Sequence, residues 1–214
     1  KKQTIDDFIT DNNCEATVYP LTDVQAAYLV GKTEAVKWGG IGCKGYIEVD
    51  FGSYSEEEIS RAWEVLVDRH EMLRAKVTET GFEILERDEI DYEIEIINLQ
   101  KMEEKEKTVT LSRIREDFSK YVFHTENPPL FKVVITKRME GNFFHLLVDL
   151  IVSDFASVQI LISEMGELLK GISLEKLRYR FSDYAMFNQQ RKGSLKWHQD
   201  RMYWLERLKK LPEA

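Results

Sequence analysis

Two apolar segments, 130–137 and 142–149, lie close together in the chain and are joined by a turn at Glu140-Gly141. They predict an antiparallel hairpin, and the second strand, through Phe143-Phe144-His145-Leu146-Leu147-Val148, reads as buried. A helix-period set follows directly: Val158, Leu161, Ile162, Met165, Leu168 and Leu169, closing at Gly171. A second amphipathic helix is announced earlier by a capping box at Ser55 and Glu58, with Ile59, Ala62, Trp63, Leu66 and Val67 on one side. A sheet flanked by such helices belongs to the α+β class, a mixed α/β sandwich.

The remaining elements fit around this frame. Thr22 and Gln25 open a short helix that ends near Gly31. Alternation over 46–51 predicts a strand, and 73–78, 82–86 and 92–98 are three shorter ones. The charged stretch 101–107 reads as a solvated turn. Leu111, Ile114, Phe118, Tyr121 and Val122 mark a helix, which Asn127-Pro128-Pro129 closes. Two last helices fit 182–191 and 194–209, with Trp197, Trp204, Leu205 and Leu208 on one side of the second. Residues 1–16 read as an arm, residues 17–214 as one folded unit without an internal repeat.

Composition removes several classes of function. With 30 Lys and Arg against 38 Asp and Glu, the 214-residue chain carries a net charge of −8. That disfavours nucleic acid and anionic membranes as bulk partners, because phosphate binding draws on clustered cations. No apolar run reaches the ~20 residues a membrane helix needs. Two cysteines, Cys14 and Cys43, make neither a disulfide framework nor a four-ligand zinc site, so a cytoplasmic location is expected. Gly40-Ile41-Gly42-Cys43-Lys44-Gly45 spells GxGxxG, but a loop precedes it and a strand follows, the wrong setting for a pyrophosphate. His70, His124, His145 and His198 show no metal-ligand spacing.

The junction 149–157 stands out. It gathers Asp149, Ser153, Asp154 and Ser157 where an apolar strand meets a helix. Asp154 or Ser153 reads as a helix cap. Asp149 ends a buried strand, and a carboxylate there requires a cation or several donors.

These residues carry a resemblance. Asp149, Asp154 and Ser157 match the DxxxxDxxS pattern of heterocyclization domains of non-ribosomal peptide synthetases, variants of the condensation domain. Residues 19–32 resemble the family's PLTxxQxAYxxGR opening, with Lys32 where Arg is usual. Residues 69–74 are similar to its RHxxLR segment, with Glu71 in place of the commoner Pro. Asn127-Pro128-Pro129-Leu130 and the stretch from Tyr203 to Leu211-Pro212 also fit in order.

The resemblance implies a chloramphenicol acetyltransferase-like fold of two lobes, of which this chain is the N-terminal one, inactive without its partner lobe. It implies amide formation between an acyl thioester and a carrier-bound Cys, Ser or Thr, followed by cyclodehydration to a thiazoline or oxazoline. No cofactor is bound directly, since the substrates ride on the phosphopantetheine arms of peptidyl or aryl carrier proteins. The second lobe and an adjacent adenylation domain are the other implied partners. In ordinary condensation domains the motif is HHxxxDG, so the usual catalytic imidazole falls on Leu150, which cannot accept a proton. Asp149, Asp154 and Ser157 are therefore the candidate catalytic residues, and Gln25, Tyr28 and His145 candidates for the substrate tunnel. Arg74 is the implied ion-pair partner of Asp154. A second reading is a non-catalytic lobe that docks carrier proteins through Lys32, Lys37 and Lys44.

Overall fold

The computed structural model describes residues 4–11, 16–33, 40 and 42–212. The core is a mixed four-stranded sheet built from β1 (Lys44–Asp50), β4 (Ile94–Asn98), β5 (Phe131–Lys137) and β6 (Asn142–Asp149), in the order β1-β6-β5-β4. The β5–β6 hairpin is antiparallel, with Val133 opposite Leu146, and β1 joins the other edge of β6 in the same sense. A two-stranded hairpin, β2 (Ala75–Thr78) and β3 (Gly81–Ile84), stands apart.

Strand alternation divides the side chains of β6 between two layers. Phe144, Leu146 and Val148 face α3 (Glu56–Arg69) and α5 (Phe155–Leu169). Here the fully buried Trp63 indole packs edge-on against Phe131, with ring centroids 5.0 Å apart, and tilted against Phe144. His145, Leu147 and Asp149 occupy the other face, covered by α4 (Glu104–Lys120), whose Phe118 meets Tyr46 edge-on at 5.4 Å.

Two glycines serve steric needs. A Cβ on Gly81 would lie 2.3 Å from the Tyr19 carbonyl, so only glycine admits the Tyr19–Phe82 bridge. Gly171, at φ +74°, ends α5 as predicted.

The structure adds to the sequence reading and departs from it. β4 runs parallel to β5, because α4 lies between them and returns the chain to the same end of the sheet. The stretch read as a solvated turn supplies the start of α4, opened by a capping box between Glu103 and Glu106. Its first turns carry no apolar stripe. The N-terminal arm contains α1 (Ile5–Asp11), whose Phe8 is buried and lies 5.7 Å from Phe187 of α6 (Phe181–Arg191).

Residues 34–39, with Lys37, and residue 41 lie outside the described residues, as does Cys14. Among those described, no helix is long and apolar enough to cross a membrane.

Candidate functional site

β6 delivers the chain to a tight turn, 150–154, which then enters α5. Asp149 is 2% exposed. Its Oδ1 accepts the Ile151 N–H at 3.0 Å, and its Oδ2 meets the ammonium of Lys32, the last residue of α2 (Asp23–Lys32). The Asp149 carbonyl accepts the Val152 N–H, and the Leu150 N–H reaches the Cys43 carbonyl. Gln25 ties α2 to the same turn. Its Nε2 donates to the Ile151 carbonyl at 3.1 Å, while its Oε1 accepts the Thr22 N–H in the predicted capping box. Both Asp149 oxygens are thus occupied by Lys32 and the turn.

Asp154 has a different task. It is exposed, and its Oδ1 accepts both the backbone N–H and the hydroxyl of Ser157 at 2.7 Å, capping α5. These two donors, the backbone one first, hold its carboxyl below the usual carboxylate range. The expected Arg74–Asp154 ion pair is not formed. Arg74 donates instead to the carbonyls of Val67, Asp68 and Leu85, satisfying the end of α3 and the chain after β3. A cation is favoured at a helix C-terminus, and an exposed capping carboxylate needs none.

Above the turn lies a cleft of about 430 Å³ between α2, α5, the segment 69–73 and the segment 177–184. Gln25, Tyr28, Asp154 and Ser157 line it. His145 does not. It lies on the α4 face of the sheet, fully buried, with Thr136 Oγ1 3.0 Å from Nε2 and the Tyr46 hydroxyl 2.9 Å from Nδ1. Strand parity explains the correction, since His145 and Asp149 share that face and the cleft opens beyond the strand's end.

Two carboxylates, the buried Glu71 and the half-buried Glu164, escaped the sequence reading. Glu71 accepts the Ser182 N–H at 2.6 Å and its hydroxyl at 3.1 Å, fixing the N-terminus of α6 beside the cleft. Glu164 on α5 binds Arg69 Nε and, at 2.6 Å, His70 Nε2. Glu71 and His70 sit within the RHxxLR-like segment, but their partners lie 111 and 94 residues away, and no local pattern announces them. Lys32 and Lys44 are likewise not free docking cations, because Lys44 Nζ donates to the Ser119 and Tyr121 carbonyls at the end of α4. Among the described residues, no cluster of His, Cys, Asp and Glu has the makings of a metal site.

The structure is a mixed sheet flanked by helices, with the motif turn at the end of its central hairpin. Residues 15–214 match the condensation domain family, and the chain belongs to that family, whose members in non-ribosomal peptide synthetases form peptide bonds. Pyochelin synthetase PchF of Pseudomonas aeruginosa is 29% identical over 197 residues, covering 91% of this chain and 11% of the relative. Bacitracin synthase 1 of Bacillus licheniformis is 30% identical over 203 residues, covering 92% and 4%. Phenyloxazoline synthase MbtB of Mycobacterium sp. is 25% identical over 197 residues, covering 91% and 16%. The chain therefore spans a small part of these curated relatives.

Among solved structures, the EpoB NRPS cyclization-docking bidomain from Sorangium cellulosum superposes with a TM-score of 0.79 at 30% identity, over 91% of this chain and 39% of that one. The starter condensation domain of rhizomide synthetase RzmA shares the fold, with a TM-score of 0.75 at 15% identity, over 92% of this chain and 47% of that one.

Proposed function

We propose that this lobe is the N-terminal half of a heterocyclization domain, joining an acyl thioester to a carrier-bound Cys, Ser or Thr and closing the product to a thiazoline or oxazoline. The observation that carries the reading is the make-up of the motif turn. Leu150 stands where a condensing imidazole would be, and Asp149, in place of the first His of HHxxxDG, holds the turn with a carboxylate that meets the Lys32 ammonium and the Ile151 N–H. Similarity to a solved cyclization domain over most of the chain supports it.

In this reading the substrates arrive on phosphopantetheine arms of carrier proteins, the lobe binds no cofactor of its own, and the isolated lobe is inactive. The test is a synthetase containing this lobe, supplied with Cys, Ser and Thr acceptors. Mass spectrometry should find a product one water lighter than the linear amide for at least one of them. Linear amide alone from all three refutes cyclization.

The second lobe is proposed to cover the apolar surface that this one leaves open. On α5, Phe155 is 72% exposed, and on α7 (Leu195–Leu208) no residue is buried, with Trp204 at 60%. Patches of this kind on a free domain mark an interface. The isolated lobe is expected to self-associate as its concentration rises and to bind an apolar dye. A clean monomer in sedimentation, with no dye signal, counts against that interface.

A further inference from the structure

In the motif turn, Asp149 is turned to Lys32 and Asp154 is held as a weak base, so neither carboxylate is suited to carry protons to a substrate in the cleft. One other group on the cleft is. His70 lines it with its side chain 21% exposed. Its Nε2 lies 2.6 Å from Glu164 Oε2, and Arg69 Nε lies 3.2 and 3.1 Å from the two oxygens of that same carboxylate. A carboxylate only accepts, so the neutral imidazole carries its proton on Nε2 and leaves a lone pair on Nδ1. Nδ1 has no hydrogen-bond partner among the described residues. An imidazole oriented by a carboxylate, with its second nitrogen bare, is the arrangement of a general acid–base group.

We propose that His70, oriented by Glu164 and Arg69, is a proton-transfer group for the ring-closing step. The proposal rests on the heterocyclization reading above. In that step the acceptor thiol or hydroxyl has added to the amide carbonyl, giving a tetrahedral carbon that bears a hydroxyl and an N–H. Protonated His70 donates its Nδ1 proton to the hydroxyl. The C–O bond breaks, water leaves, and the nitrogen lone pair forms the C=N bond. The proton then lost from nitrogen returns to Nδ1, so His70 is regenerated and the net change is loss of one water. Glu164 contacts His70, Arg69 binds the same carboxylate, and Glu71, Asp154 and Arg180 are the other charged groups that line the cleft with it.

The test uses the synthetase that contains this lobe. In His70→Gln the amide N–H can still donate to Glu164, but the side chain carries no titrating proton. Ring closure is expected to fall roughly 100-fold or more, the usual worth of a positioned acid–base group, while linear amide still forms and accumulates. The pH profile of ring closure should also lose one ionisation that the wild type shows. Glu164→Gln, which removes the orienting charge, should lower ring closure in the same selective way.

Three outcomes overturn the proposal. Wild-type ring yield with an unchanged pH profile in His70→Gln removes His70 from the chemistry. A parallel fall in amide formation, ring closure and melting temperature in both variants makes the cluster a clamp between α3 and α5. A wild-type synthetase that makes only linear amide removes the heterocyclization reading itself, and this proposal with it.

Discussion

Replacing Lys32 by methionine is expected to destabilise the fold by about 3–5 kcal/mol, because removing one partner strands a buried charge. The argument runs from the sequence outward. The Thr22–Gln25 capping box fixes where α2 starts, and ten residues later its last turn presents Lys32 to the end of β6. Lys32 is 17% exposed and Asp149 3% in their side chains, so solvent cannot replace the lost ammonium. The Ile151 N–H alone would remain on the carboxylate.

Urea unfolding of wild type, Lys32→Met, Lys32→Arg and the double variant Lys32→Met with Asp149→Leu measures this. Arginine should restore most of the stability. The double variant should lose much less than the sum of the two single changes, since neither charge is then left alone. Equal midpoints for wild type and Lys32→Met would sink the buried pair. The same pair sets an expectation for the intact synthetase. On the heterocyclization reading proposed above, Asp149→Asn should depress amide formation and ring closure together with stability, because the carboxylate faces Lys32 and the turn rather than the cleft.

The apolar periodicities, which report burial directly, placed Trp63 and Val158 on the core faces of their helices and Val133 and Leu146 in a buried hairpin. The caps at Thr22 and Ser55 were equally readable, since a capping box is a purely local exchange of hydrogen bonds. The start of α4 was hidden because its first turns are charged on every side. The site was half legible. Motif spacing brought Asp149, Asp154 and Ser157 to one turn, but the cation for Asp149 came from a residue 117 positions away. Arg74 showed the limit of carrying a partner over by resemblance. Its donors were closer to main-chain carbonyls, and a guanidinium takes the acceptors that the local backbone offers. His145 was misplaced for a simpler reason. Position within a strand gives the face, but only the packing of α4 tells which face is sealed.

That sealed imidazole leads to the second large effect. His145 is 0% exposed, and burial pushes its pKa down from 6.5 to about 4. The Tyr46 hydroxyl donates to Glu48 Oε1 at 2.7 Å, so it receives the Nδ1 proton of His145, while the Thr136 hydroxyl donates to Nε2. Both ring nitrogens are thus satisfied with the ring neutral, the form that burial favours. Arg115 binds both oxygens of Glu48 and holds its carboxyl down at about 2, against the opposing effect of burial. In the unfolded chain His145 takes up a proton near pH 6.5, whereas in the fold it does so only near pH 4. The unfolded state therefore binds more protons across that window, and stability must fall as the pH drops through it. The full contribution of His145 is present above pH 6.5 and amounts to about 3 kcal/mol by linkage. The Glu48 contribution has the same sign and is lost lower, as the pH falls from 4.5 toward 2. Urea midpoints measured from pH 7 to pH 4 should therefore decline steeply for the wild type. His145→Gln, which hydrogen-bonds without titrating, should start less stable at pH 7 and decline with a visibly shallower slope between 6.5 and 4. Identical slopes would show that His145 is not held neutral in the fold, and that the polar chain from Thr136 to Arg115 tolerates a charge at its centre.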